Sequence, residues 1–179
     1  MDIDSTPGPI PNSYWLMDRQ LLAGEYPGSS YPDLARTKLE ALLHAGIRSF
    51  IDLTELRDGL RPYENLLEEL TLARRIDVHY RRIGVRDMGL PTSEVMHDIL
   101  SRIDSEIAAG RPVYLHCWGG IGRTGTVAGC WLVEQGMACD AALERITTLR
   151  APTPEGWKNS PETRDQRSFV RAWTRGERP

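Results

Sequence analysis

After its first turn, this chain never places two strand-like runs side by side, and that limits its fold more than any other feature. "IRSFIDLTE", "VHYRRIGV" and "PVYLHC" are short runs of strand-forming residues. Each is separated from the next by a segment of helical periodicity. "PDLARTKLEALLHAG" places Leu34, Leu39, Leu42 and Leu43 at near-helical spacing and stops at Gly46, a normal C-terminal cap. "PYENLLEELTLARRI" starts with Pro62, which suits a helix start because the first N–H groups have no helical partner. "TSEVMHDILSRIDSEIAAG" repeats Val95, Ile99, Ile103 and Ile107, then ends at Gly110. Connections of this length allow parallel strand pairing. Only "YWLMDRQLLAGEYPG" reads as a hairpin, an edge pair turning near Asp18, Arg19 and Gln20. The expected fold is α/β, with a small, mostly parallel central sheet flanked by helices. Three helices follow, over roughly 123–135, 139–149 and 161–174. The acidic, proline-rich residues 1–13 read as an extended N-terminal arm ahead of a single domain, 14–179.

"RPVYLHCWGGIGRTGTVAG" carries the chemistry. A buried strand ends at Cys117, a glycine-rich loop follows, and a helix opens near Arg123. In sheets of this kind ligands bind at the carboxyl ends of strands. Gly119, Gly120 and Gly122 allow backbone dihedrals that let successive N–H groups turn inward as an anion-binding nest. The helix adds its positive N-terminal end. Arg123 adds a planar fork suited to two oxygens of a tetrahedral oxyanion. The same field favours a thiolate, since cysteines in such settings titrate at roughly 3.5–7.5. Cys117 is therefore expected to be ionised at neutral pH, beneath the phosphorus of a bound phosphate. Thr124 is placed to hydrogen-bond the sulfur, and His116 to orient the cysteine through neighbouring backbone groups. Trp118 should point away from the phosphate, toward the pocket rim.

"HCWGGIGRT" resembles the His-Cys-x5-Arg-Ser/Thr signature of the cysteine-based protein tyrosine phosphatases. The N-terminal "NSYW…LLAGEYPG" and "FIDLTE" also look like those of compact bacterial, dual-specificity-like members. The resemblance implies a phosphotyrosine phosphatase-like fold and hydrolysis of phosphomonoesters through a phosphocysteine, with no cofactor and no metal. It makes Cys117 the nucleophile. Arg123 and the amides of Trp118, Gly119, Gly120, Ile121 and Gly122 would bind the phosphate. It also places an aspartate on a loop upstream, to protonate the leaving group and later activate water. Asp87, in "IGVRDMGLPTS" and 30 residues before Cys117, is the candidate; Asp52, beside a buried strand, is its rival.

"SPETRDQRSFVRAW" reads as a helix with Ser160 as N-cap and Pro161 at the first position. Gln166 falls on its apolar face with Phe169, Val170 and Trp173. The segment resembles, more weakly, the motif with which classical tyrosine phosphatases position water. That implies a water-positioning Gln166; the bare residues fit equally a glutamine bonded to backbone.

Composition excludes several classes. A net charge of −3 gives no global attraction to nucleic acid. No apolar run approaches bilayer length. Cys117, Cys130 and Cys139 make no disulfide framework, so a reducing cytoplasm is expected. A monomer is expected as well. Partners are expected to be phosphorylated proteins or small phosphomonoesters, phosphotyrosine first and phosphoserine or phosphothreonine as well. Inositol-phosphate or phosphoinositide phosphatases of related type often carry lysines inside the loop; here the variable positions are Trp118 and Ile121. That alternative stays open, as does a phosphate-binding pseudophosphatase.

Overall fold

The computed structural model describes residues 8–176. It contains strands β1 (Tyr14–Met17), β2 (Leu21–Gly24), β3 (Ser49–Asp52), β4 (His79–Arg82) and β5 (Val113–His116). The helices are α1 (Pro32–His44), α2 (Glu64–Arg74), α3 (Ser93–Ala108), α4 (Gly122–Glu134), α5 (Cys139–Arg150) and α6 (Arg164–Ala172). The strands form one sheet in the order β1-β2-β5-β3-β4. Only the β1–β2 hairpin is antiparallel. Each parallel strand is reached through a helix, so the long connections determine the strand direction.

Registers align the carboxyl ends of the parallel strands. Gly24 and Asp52 both pair with His116, and Asp52 also pairs with Arg82. β5 lies between β2 and β3, and all four of its residues are buried. Its side chains alternate between the faces, as strand geometry requires. Val113 and Leu115 join the core under α3, α4, α5 and α6; Tyr114 packs with Leu22, Phe50 and residues of α1 and α2. α4 runs through the first core and is buried from Gly122 to Val133.

Two sequence expectations change here. Residues 1–7 of the expected arm lie outside the described residues. Residues 8–13 close into a turn instead of extending: Gly8 N donates to Ser13 O at 3.0 Å, and Ile10 is buried in the core. The other change is at the start of α6. The cap is Thr163, whose hydroxyl accepts from Gln166 N while the Gln166 amide oxygen accepts from Thr163 N, both at 3.1 Å. This is a reciprocal capping box. Ser160 instead donates its hydroxyl to Ile121 O at 2.8 Å, so residues 160–163 lie against the glycine-rich loop before the helix can begin.

Candidate active site

Cys117 follows the last residue of the central strand and is 3% exposed. The loop after it is held by its carbonyls from outside. Tyr26 N donates to Trp118 O at 2.7 Å, and Ser160 holds Ile121 O. Gly120 has φ +68°, and a Cβ there would lie 2.4 Å from the Gly24 carbonyl carbon. Only glycine combines that conformation with that approach. Ile121, at the N-cap of α4, makes no side-chain cap, and the first turn holds no acidic residue. The positive end of α4 therefore has no internal anion.

Arg123 is 3% exposed and held along one edge. Its Nη1 donates to Asp58 Oδ2 at 2.6 Å and to Val85 O at 3.0 Å. Its Nη2 lies 3.1 Å from Asp87 Oδ1. Its Nε is buried and has no partner. Burial pulls the guanidinium pKa down, but the sulfur of Cys117 and the carboxylates of Asp58 and Asp87 outweigh it and leave the pKa raised. An always-charged, half-satisfied guanidinium at a free helix end is a receptor for an oxyanion. Asp87 sits across from it on the exposed loop after β4, its side chain 57% accessible. Cys117, Trp118, Gly119, Ile121, Gly122, Arg123 and Asp87 all line one pocket of about 410 Å³. The structure brings these seven expected residues together at one pocket, and Gly120, also expected there, is not among the lining residues. Trp118 lies at the rim, 63% exposed.

A family model described as a polymorphic toxin system DSP-PTPase phosphatase matches residues 26–137, more than half of the chain. The chain belongs to this dual-specificity-type, cysteine-based phosphatase family. The chain is 28% identical over 169 residues to the mouse protein tyrosine phosphatase domain-containing protein 1, covering 90% of this chain but 21% of the mouse protein. It therefore spans about a fifth of that relative's length. Among solved structures, Tk-PTP in its active form superposes with a TM-score of 0.68 at 22% identity, covering 89% of this chain and 94% of that one. PTPMT1 in complex with PI(5)P gives 0.66 at 19% identity, covering 90% and 94%. These two likenesses establish the fold. Among the described residues, no helix is long and apolar enough to cross a membrane.

Behind the glycine-rich loop lies a buried polar network. His116 is fully buried; its Nδ1 is 3.1 Å from Cys117 O, and its Nε2 is 2.7 Å from the Tyr63 hydroxyl. A carbonyl can only accept, so Nδ1 carries the proton and Tyr63 donates to Nε2. His116 thus holds the cysteine's carbonyl, as expected, and stays out of the pocket. Asp52, the rival acid, is also fully buried. Its Oδ1 accepts from Thr54 N and Oγ1, and its Oδ2 from the Tyr80 hydroxyl and Arg82 Nε. That makes it a fixed anion far from the solvent a proton donor needs.

This network makes stability depend on pH. Burial pushes the His116 pKa below its ordinary 6.5. Burial acts to raise Asp52, but the charge of His116 and the bonds from Thr54 and Tyr80 hold it below 3.8. In both cases the unfolded chain binds more protons, so stability is complete above about pH 6.5 and falls as pH drops. His116 acts first, and below pH 6.5 the loss runs at up to about 1.4 kcal/mol per pH unit. The unfolding free energy from urea melts should be lower at pH 5.5 than at pH 7.5. The His116→Gln variant should be less stable at pH 7.5 and lose most of that difference.

The remaining expected site residues behave differently. Thr124 is buried, and its hydroxyl has no hydrogen-bond partner among the described residues, so the expected bond to sulfur is not made. Gln166 is fully buried and lies outside the pocket lining. Its Nε2 donates to Gly89 O at 3.1 Å, so it ties α6 to the Asp87 loop. The backbone-bonded reading of this residue holds in the structure. Cys130 is buried in α4, where burial, with the charges of Cys139 and Glu134, pushes its thiol up, as for a core thiol.

Two polar residues escaped the sequence reading. Asp58 lies in a short 3-10 turn, Leu56–Asp58, and reads locally as a turn aspartate before Gly59. Arg150, 1% exposed at the end of α5, donates to Lys158 O and Glu155 O and so shapes the 151–160 segment beside the pocket. A T-x-x-Q pattern for the Thr163 cap was the only legible missed signal.

Proposed function

We propose that this phosphatase hydrolyses phosphomonoesters, phosphotyrosine in proteins first among them, through a phosphocysteine intermediate. The observation that carries the reading is the unpartnered Nε of Arg123, with Cys117 and the uncapped end of α4 at the same pocket. Arg123 and the loop amides bind the phosphate, and Asp58 keeps the guanidinium turned toward it. The thiolate of Cys117 attacks phosphorus, the P–O bond to the leaving group breaks, and Asp87 gives the leaving oxygen its proton. Asp87, now a carboxylate, takes a proton from water, which attacks phosphorus. The P–S bond breaks, orthophosphate forms and the thiolate returns. With phosphate bound, Arg123 Nη2 and Nε turn to its oxygens and free Asp87. Gln166 contributes by holding the Asp87 loop.

Substrate choice among proteins, phosphoinositides and small metabolites rests on the pocket itself. Arg123 is the loop's only cation, which favours a phosphomonoester of low charge. PTPMT1 in complex with PI(5)P shows that a related fold accepts a phosphoinositide. A p-nitrophenyl phosphate assay in chelator, with acid-quench trapping of a phosphoenzyme, tests the reading. Turnover with a labelled Cys117 is expected. Vanadate binding without turnover of any phosphomonoester would make the chain a pseudophosphatase.

The proton donor has its own test. Asp87→Asn should lower kcat on phenyl phosphate by about 10²-fold and on p-nitrophenyl phosphate by much less, because p-nitrophenolate leaves without help. Equal losses on both substrates would remove Asp87 from the role of acid.

A further inference from the structure

The charges around the pocket point to a more specific substrate. Its lining holds four carboxylates, Glu25, Asp87, Glu155 and Glu162, against two cations, Arg123 and Lys158. Arg123 serves the phosphate. Lys158 is already held by Glu155, Nζ to Oε1 at 2.5 Å. Glu25 is held by Lys38, and Asn12 Nδ2 donates to its other oxygen at 2.9 Å. No cation remains for a second anionic group.

Glu162 is different. It is exposed, and its carboxylate has no ion pair among the described residues. Its side chain starts beside the phosphate loop: a Cβ on Gly122 would lie 3.4 Å from Glu162 Cβ. On the loop's other flank, Glu25 N would lie 2.7 Å from a Cβ on Gly120. Glu25 and Glu162 therefore flank the loop at Gly120 and Gly122, and both line the pocket. One exposed indole, Trp118, lines the same pocket as Glu162. An exposed aromatic face and an unpaired carboxylate in one pocket both attract a cation.

Resting on the phosphatase reading above, we propose that the pocket selects phosphomonoesters whose leaving group carries a positive charge close to the phosphate. One end is bound by the unpartnered edge of Arg123. The other is bound by Glu162, with Trp118 against the connecting atoms. A substrate with several phosphates, or with acidic neighbours, meets Glu162 and Glu25 instead of a cation. The same chemistry is present in a phosphotyrosine peptide flanked by lysine or arginine and in a small amine-bearing phosphate.

The test compares kcat/KM for phosphotyrosine peptides with lysine flanks and with glutamate flanks. A small-molecule arm compares phenyl phosphates bearing aminomethyl or carboxymethyl groups, and p-nitrophenyl phosphate is the uncharged reference. The lysine peptide should be favoured by about tenfold at low salt, narrowing as salt screens the rim. In Glu162→Gln the ratio should fall toward one, and in Glu162→Lys it should invert. Reading a ratio cancels any loss the two peptides share. Preference in both arms assigns the recognition to the pocket; preference in peptides alone assigns it to protein substrates. A ratio near one, or an acidic preference, with p-nitrophenyl phosphate still turned over, overturns this inference and leaves the phosphatase reading intact. No turnover of any of them overturns both.

Discussion

Cys117→Ser should reduce p-nitrophenyl phosphate hydrolysis to background, a loss on the order of 10⁴-fold or more. A serine hydroxyl stays protonated where a thiol ionises, and no base lies behind it: His116 directs Nδ1–H to the Cys117 carbonyl and its Nε2 to Tyr63. The exchange removes the nucleophile and little else. Cys117 is 3% exposed, and the loop is held by Tyr26, Ser160 and the Gly24 backbone, none of which bonds the sulfur. The variant should therefore keep its thermal midpoint and still bind vanadate or orthophosphate. Wild-type turnover should be unchanged in chelator. Activity retained by the serine variant, or lost on chelation, would reject the cysteine mechanism.

Gly120→Ala should be nearly as damaging, by a different route. At φ +68° an alanine pays about 1–2 kcal/mol for left-handed backbone. Its methyl carbon would also sit 2.4 Å from the Gly24 carbonyl carbon and 2.7 Å from Glu25 N. Those are backbone atoms of β2 and the residue after it, so no side chain can swing away. We expect a stability loss of about 3 kcal/mol or more. The folded fraction should lose about 10²-fold in kcat/KM, because the loop amides move off the phosphate. Gly119→Ala is the control. The nearest atoms to its added carbon are in the Ile121 side chain at 3.6 Å, an ordinary contact, and its φ is unremarkable. Urea melts and p-nitrophenyl phosphate kinetics on the pair decide the matter; equal behaviour of the two variants would reject the close-approach account.

The sheet and the phosphate loop were legible because local signals carry them. Alternating strands and periodic helices predict parallel crossovers, and Cys117 to Arg123 lie within one contiguous stretch whose glycines allow the turn that Tyr26 and Ser160 then hold. Features that depend on distant partners were not legible. Asp58 reaches Arg123 across 65 positions, and in sequence it looks like any turn aspartate. Ser160 and Thr163 are both good caps for α6. The choice between them is made by Ile121 O, which takes the Ser160 hydroxyl and leaves the helix to start at Thr163. Gln166 was correctly read as an inward-facing polar residue, but its partner, Gly89 O, is 77 positions away and could not be named from periodicity. Residues 8–13 were read as extended from their prolines, whereas the bond from Gly8 to Ser13 and the burial of Ile10 close them into a turn.

The position of β5 has a consequence for how this chain can vary. Its two ladders join β2 and β3, and the glycine-rich loop after Cys117 is rooted in that doubly bonded strand. Asp87 instead belongs to a surface segment, followed by Met88 at φ +57° and fastened through Gln166 to α6. Displacing the root of that loop requires the sheet to come apart, so the proposed phosphate cradle endures as long as the fold does. The role proposed for Asp87 depends only on a few exposed residues. In the proposed mechanism, changes around Asp87 retune proton transfer at little cost to folding, while changes at the loop's root put the fold at risk.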